Sequence, residues 1–287
     1  MDKMSQYTFL AGLIGVTLAS VLYIVHAFGA RRRIAAMAGA SGGTATYAAP
    51  SDAGGYATTL AALSFAFLTL SLVFRAIATG HGPFANMYEF SVAFSWGIVG
   101  AYLYFERKYR LRALGALVMP PAAGLLYYAW TIPSDVQPLV PALQNNLLLS
   151  VHVAVAIVAY GTFTVAFGAA LLYLYQRDYH SSWLPSLDSL DEIGYRAVTI
   201  GFPFLALVII LGAIWADVAW GRYWGWDPKE TASLVTWLIY GGYLHARTVQ
   251  GWRGTRSAVL LLAGFVATLM TYFGNLFFGG LHSYAGL

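Results

Sequence analysis

Eight long apolar runs joined by short polar connectors constrain this chain more than any other feature. They fall at roughly 8–29, 57–79, 88–105, 113–131, 147–175, 196–216, 231–249 and 257–278. An α-helical membrane span needs about 20 predominantly apolar residues, and each run approaches that length. A membrane β-barrel reads instead as short segments of alternating polarity. Composition agrees: 59% of the residues are hydrophobic and 10% charged, whereas a soluble domain carries roughly 25% charged residues. The expected fold is all-α, a polytopic membrane protein of about eight transmembrane helices, with 1–287 forming a single transmembrane domain. Pro83, Pro133, Pro138, Pro141 and Pro228 fall between runs, where they stop helices. The stretch 39–56 is rich in Gly, Ala, Ser and Thr and reads as a flexible connector.

The chain contains no cysteine, which excludes disulfides, thiolate metal sites and a thiol relay on this chain. Its pI near 9.2 does not imply nucleic acid, because the basic residues sit in the connectors, where membrane orientation accounts for them. The first apolar run precedes Arg31, Arg32 and Arg33. A signal peptide has the reverse order, so this run reads as a retained first span with its N-terminus outside. With eight spans, the inner connectors then hold Arg31–Arg33, Arg107, Lys108, Arg110, Arg112, Arg177, Arg196, Arg247, Arg253 and Arg256, twelve of the sixteen basic residues. That is the cytoplasmic bias of the positive-inside rule, and it places both termini on the outer side.

Trp215, Trp220, Trp224 and Trp226 fall within twelve residues, in a chain with nine Trp altogether. An interfacial aromatic belt scatters one or two such residues per helix end. Here they cluster in the outer segment 215–231, with Gly221 and Gly225 interleaved, where the backbone can approach a ligand closely. Asp227, Pro228 and Glu230 make a good helix start, as N-cap, first position and third position. They would fix the aromatic segment above the seventh span.

The run Trp220-Gly-Arg-Tyr-Trp-Gly-Trp-Asp-Pro-Lys-Glu-Thr231 closely resembles the tryptophan-rich "WWD" signature of the haem-handling proteins of cytochrome c maturation. Within that superfamily, which includes the CcmC and CcmF types, the span number resembles the CcsA/ResC type of System II. Gly80-His-Gly-Pro-Phe-Ala-Asn-Met-Tyr-Glu89 is also similar to the family's segment ahead of span three. The resemblance implies that haem b is carried as cargo and presented at the outer face for thioether attachment to apocytochrome c. It also implies a share in haem passage across the membrane. The implied partners are a CcsB/ResB-type membrane protein, an apocytochrome with a Cys-X-X-Cys-His motif, and membrane lipid. The implied location is a bacterial plasma membrane, or a thylakoid membrane for a plastid protein. No acid–base or nucleophile constellation is visible in the sequence, so any catalysis would be positioning within the larger ligation complex.

The family's outer axial histidines match His152 and His282, and its intramembrane histidine matches His245. Depth is compatible with this. His152 and His282 both lie at outer ends of spans, while His245 is about 22 Å deeper than Glu230 at ~1.5 Å per residue. Two nitrogens on one iron lie about 4 Å apart, so the first two can share an iron and His245 cannot join them. Trp215, Trp220, Trp224 and Trp226 form the expected aromatic platform and Asp227 its anchor. Arg222, Lys229 and Arg75 are candidate partners of the haem carboxylates. His26, His81 and His180 are left without an assigned role. A CcmC-like delivery protein is an alternative from the same superfamily. An electron-transferring cytochrome b would place paired histidines on one span, and no two histidines here share a span. A transporter would carry ionisable residues along a midplane path, and none is outlined.

Overall fold

The computed structural model describes residues 1–39, 53–136, 143, 146–181 and 184–282. Its elements are α1 Asp2–Gly39, α2 Ala53–Thr79, α3 Met87–Tyr109, a 3-10 turn Arg112–Leu114, α4 Gly115–Thr131, α5 Asn146–Tyr179, α6 Leu187–Trp220, α7 Pro228–Thr248 and α8 Thr255–Phe277. No strand occurs among the described residues. Eight helices therefore stand where eight spans are expected. Six of them, α1, α2, α4 with its preceding turn, α5, α6 and α8, are long and apolar enough to cross a membrane. The other two have spanning length, 23 residues in α3 and 21 in α7, but carry more polar residues. Their polarity is sheltered: α3 buries Glu89, Ser91, Ser95 and Glu106, and α7 buries Ser233, Thr236, Tyr240, Tyr243 and Arg247.

Element ends differ from the hydropathy boundaries in identifiable ways. α1 continues past the arginines to Gly39, and α2 starts at Ala53, so the last part of the expected 39–56 connector is helical. Residues 40–52, Pro138, Pro141 and the tail 283–287 lie outside the described residues. α6 begins at Leu187 rather than near 196. Ser186 caps it by accepting from the Ser189 amide at 3.3 Å, and Arg196 pairs with Glu192 at 2.6 Å on the same helix. Polar cap and pair residues extend a helix beyond its apolar run.

The helices pack as neighbours, α1 against α2, α3 against α4 and α5, α5 against α6 and α8, and α7 against α8. Small residues permit close approach, as is usual between membrane helices. A Cβ added to Gly161 of α5 would lie 2.7 Å from the Gly97 carbonyl oxygen of α3. Two buried ion pairs pin the ends of the bundle. Arg75 of α2 meets Glu89 of α3 at 2.8 Å and Asp2 at 3.0 Å. Arg247 of α7 meets Asp191 of α6 at 2.6 Å, and its guanidinium lies 4.6 Å from the Tyr195 ring centre. Arg75 is thus consumed by carboxylates and does not line the aromatic cleft described below.

Candidate functional site

α6 ends at Trp220, where Gly221 turns the chain at φ 70° and donates its amide to the Asp217 carbonyl at 2.8 Å. α7 starts eight residues later with a complete capping box. The Asp227 carboxylate accepts from the Lys229 amide at 2.9 Å, and the Glu230 carboxylate accepts from the Asp227 amide at 3.1 Å. Glu230 also accepts from the Gly225 amide at 2.8 Å, so one side chain holds both the helix start and the loop before it. The four tryptophans are therefore split. Trp215 and Trp220 belong to the last turns of α6, and Trp224 and Trp226 to the loop.

Between this loop and helices α3, α5, α6, α7 and α8 lies a cleft with an empty volume of about 1000 Å³, its open mouth included. Phe90, Phe94, Tyr160, Trp215, Trp224 and Tyr272 supply aromatic walls, and His152 and His282 both face it. Lys229 is the cation on its lining, with Nζ 5.7 Å from the Phe90 ring centre.

The two imidazoles are held differently. His152 lies in the second turn of α5, and its buried Nδ1 makes no hydrogen bond of normal geometry, although the Val208 backbone lies against the ring. The ring occupies a space left by Gly212 of α6, where an added Cβ would stand 2.9 Å from His152 Cε1. His282, just beyond α8, donates Nδ1–H to Asp227 Oδ1 at 2.8 Å. The direction follows because an ionised carboxylate is acceptor-only. Asp227 Oδ2 also accepts from the Leu281 amide at 2.6 Å, and Gly280 allows this closeness, since a Cβ there would lie 2.3 Å from the same oxygen. The His282 ring packs at 4.9 Å from Trp220 and 5.7 Å from Trp215.

Electrostatics keep this pair in its useful state. Burial lowers the His282 pKa, and the Asp227 hydrogen bond only partly restores it, so the imidazole is neutral at neutral pH. For Asp227, burial pushes upward, but the His282 hydrogen bond and charge and the backbone amides win, holding the carboxyl at about 2. His282 thus has Nδ1 tied to a carboxylate and Nε2 as its lone-pair nitrogen, the arrangement that orients metal-ligating histidines.

The other expected site residues lie off the cleft lining. Trp226 is 69% exposed and meets Trp224 edge-on at 5.7 Å. It adopts φ 56°, a left-handed conformation costly for a residue with a Cβ. Arg222 is exposed and folds over Gly225. His245 is exposed on the far part of α7, off the cleft lining. His81 bonds locally, its Nδ1 2.8 Å from the Gly82 carbonyl oxygen. Conversely, the aromatic wall from α3, α5 and α8 and the notch at Gly212 have no local sequence signature. They come from helices far apart in the chain.

The fold and site define a class, a polytopic helical membrane protein with an aromatic cleft and two convergent imidazoles at one end of the bundle. The chain belongs to the cytochrome c assembly protein family, whose model, described as Cytochrome C assembly protein, matches residues 84–282. It is similar to the cytochrome c biogenesis protein CcsA of Guillardia theta, 37% identical over 261 residues covering 81% of this chain and 86% of that one. The CcsA of Gloeothece citriformis is 36% identical over 267 residues, covering 73% and 81%. Among solved structures, the cytochrome c haem lyase CcmF aligns with a TM-score of 0.63 at 20% identity, over 93% of this chain and 46% of CcmF. That likeness shows a shared fold.

Proposed function

We propose that this protein works in cytochrome c biogenesis by binding haem as cargo in the cleft, with His152 and His282 as axial ligands. Haem is presented there at the outer membrane face for attachment to an apocytochrome. The observation that carries this reading is the convergence of two imidazoles on one aromatic cleft. One has a buried nitrogen with no hydrogen bond of normal geometry, and the other is oriented by a carboxylate. These residues fit haem. The donor set is two imidazoles, the walls are rings that pack against a porphyrin plane, and Lys229 stands on the lining to meet a haem carboxylate. The CcsA relatives named for cytochrome c biogenesis support the same assignment.

Trp215 and Trp220 hold the His282 ring, Asp227 sets its tautomer, and Trp224 forms part of the wall. Trp226 and Arg222 flank the loop from outside, where an acceptor would approach. The orientation rests on the positive-inside bias, with twelve of the sixteen basic residues in the connectors expected on the inner side. Attachment joins each haem vinyl group to a thiol of the acceptor's Cys-X-X-Cys-His segment. Because this chain has no cysteine, its contribution is to bind, orient and release, with the acceptor histidine replacing one of the two ligands. A CcsB/ResB-type protein is the expected membrane partner. His245, about 22 Å from Glu230 along α7 at ~1.5 Å per residue, acts in this scheme at a step outside the cleft.

The test is magnetic circular dichroism of the purified, haem-loaded protein beside His152→Ala and His282→Ala. A bis-histidine low-spin spectrum lost in each variant supports the assignment. If both variants keep that spectrum, the ligands lie elsewhere.

A further inference from the structure

A second cavity opens at the other end of α3. Met87 and Phe90 line the cleft, whereas Leu103, Glu106 and Arg107 of the same helix line this cavity. From Met87 to Glu106 the helix rises about 28 Å, close to the ~30 Å thickness of the hydrocarbon core. The second cavity therefore stands at the water boundary opposite the cleft. Its empty volume is about 1640 Å³, open mouth included. Separate pieces of chain build it: His26 of α1, Thr58 and Ala62 of α2, the end of α3, and the turn from Arg110 to Ala113.

Its polar and apolar parts are layered along the membrane normal. Arg107, Arg110 and Arg112 bring guanidinium groups to the lining, and all three residues are exposed. Leu103 lies one turn of α3, about 6 Å, further into the bilayer than Arg107. Ala62 likewise lies one turn of α2 further in than Thr58, whose hydroxyl meets Glu106. Charge at the boundary with an apolar wall beneath it is the layering of a phospholipid, phosphate above acyl chain. A free phosphate would have no use for the wall.

The one carboxylate on the lining is already engaged. Glu106 is 6% exposed and accepts from the Tyr23 hydroxyl at 2.5 Å and from the Thr58 hydroxyl, with Arg112 Nε at 3.6 Å. Among the described residues, neither Arg107 nor Arg110 has a carboxylate within ion-pair distance. Three guanidinium charges against one carboxylate leave two positive charges on the lining. Topogenic bias puts basic residues on this face, but it does not aim them. Lys108 shows the difference: its Nζ bonds the Tyr104 hydroxyl at 3.3 Å, lies 5.7 Å from the Tyr109 ring centre, and is off the cavity lining. The arginines converge because the backbone turns. Arg110 takes φ 54° and donates its amide to the Glu106 carbonyl at 2.7 Å, and the Tyr102 hydroxyl donates to the Arg112 carbonyl at 3.4 Å. Guanidinium is also the group that grips phosphate oxygens bidentately.

We infer that this cavity is a binding site for an anionic phospholipid, its phosphate held by Arg107 and Arg110 and an acyl chain laid along Leu103 and Ala62. Basic pockets between transmembrane helices bind such headgroups. A lipid seated there touches α1, α2, α3 and the turn before α4, and so fastens that half of the bundle together. The site stands independently of the proposed haem-handling function.

The test uses the full chain in detergent, with phosphatidylglycerol and phosphatidylcholine as probes and native mass spectrometry to read the bound lipid. Phosphatidylglycerol is expected to stay bound, and phosphatidylcholine, whose choline offsets the phosphate charge, to wash off. Arg107→Gln/Arg110→Gln should weaken phosphatidylglycerol binding about tenfold, the worth of one charge-assisted contact. Arg253→Gln/Arg256→Gln removes two basic residues off the cavity lining and should leave binding unchanged. Added phosphatidylglycerol should also raise the melting temperature of the unaltered chain, and that gain should vanish in Arg107→Gln/Arg110→Gln. If the glutamine variant does not fold, Arg107→Lys/Arg110→Lys keeps both charges without the bidentate geometry and should still bind more weakly than the unaltered chain. Equal retention of the two lipids, or equal losses from the two arginine pairs, would overturn the inference in favour of diffuse surface charge. Displacement of the lipid by inorganic phosphate would assign the site to a free anion and overturn it too.

Discussion

Asp227 accepts the Nδ1–H of His282 at 2.8 Å while capping α7 through the Lys229 amide. One carboxylate thereby fixes a helix start and the tautomer of a histidine 55 residues later. The two roles separate by substitution. Asn caps helices about as well as Asp, so Asp227→Asn is expected to keep α7 formed and to lose only the stability that the carboxylate contributes through His282 and the Leu281 amide. Loss of an orienting carboxylate typically costs 10–100-fold in metal affinity, and haem affinity should fall within that range. Calorimetric melting and haem titration on the same preparation check both halves. A large drop in melting temperature with unchanged haem affinity would reverse the assignment.

The pH response has a definite sign. The folded-state pKa of His282 lies below the ordinary value near 6.5, so the folded imidazole stays neutral as pH falls through 6.5. Haem ligation by His282 should persist below that pH and fail only further down. Between 6.5 and the lowered folded value the unfolded chain binds more protons, so stability declines as pH falls across that window. Asp227 adds stability that is complete above its ordinary value of 3.8 and is lost as pH falls towards about 2. In Asp227→Asn the carboxylate charge that helps to raise the His282 pKa is gone, so its protonation should move to still lower pH. Acid titration of the low-spin absorption bands in both proteins reads the shift, and loss of ligation at or above pH 6.5 would contradict it.

Gly212→Ala tests the seat of His152. The new Cβ would stand 2.9 Å from Cε1 of the ring, and the ring, being the movable partner, is displaced. The expected outcome is a correctly folded protein with weaker haem binding and a gain of high-spin iron in the resonance Raman spectrum. An unchanged low-spin spectrum would mean that His152 does not ligate from this position.

Trp224 and Trp226 should differ although they are neighbours in sequence. Trp224 lines the cleft, whereas Trp226 is 69% exposed. Trp224→Ala is expected to reduce haem retention several-fold more than Trp226→Ala. Trp226→Gly should raise stability by about 1 kcal/mol, by relieving a left-handed residue of its Cβ, while lowering transfer to the acceptor. Haem dissociation rates and thermal melts of the three variants check this.

Arg75→Met separates a structural arginine from a haem-binding one. Removing the buried guanidinium leaves Glu89, 1% exposed in its side chain, without its partner. Breaking such a pair typically costs about 3–5 kcal/mol. Destabilisation or loss of expression is expected, with unaltered axial ligation in any protein recovered. Intact stability with loss of haem would restore Arg75 to the cargo site.

Much of this protein is legible in its sequence because the membrane reduces the choices. Apolar runs of spanning length must become helices in a bilayer, and the Asp227-Pro228-Lys229-Glu230 helix start is a local signal that acts over a single turn. The tryptophan cluster is likewise a run of neighbours, readable without knowing what it packs against. The start of α6 at Leu187 escaped the hydropathy boundary because a cap and an ion pair, not apolarity, set it. Long-range placement was not written in any local stretch. Arg75 looked available as an interfacial cation until α3 and the N-terminus brought Glu89 and Asp2 against it. Only the packing of α5, α6 and α8 decided that Gly212 would seat His152, that Gly280 would bring His282 to Asp227, and that Trp226 would stand outside the cleft Trp224 lines. The sequence determined the polytopic helical class, the helix start at Asp227 and the tryptophan cluster, because those depend on side-chain chemistry and local periodicity. Tertiary structure decided which residues meet, because a contact between residues 55 or more positions apart depends on how whole helices pack.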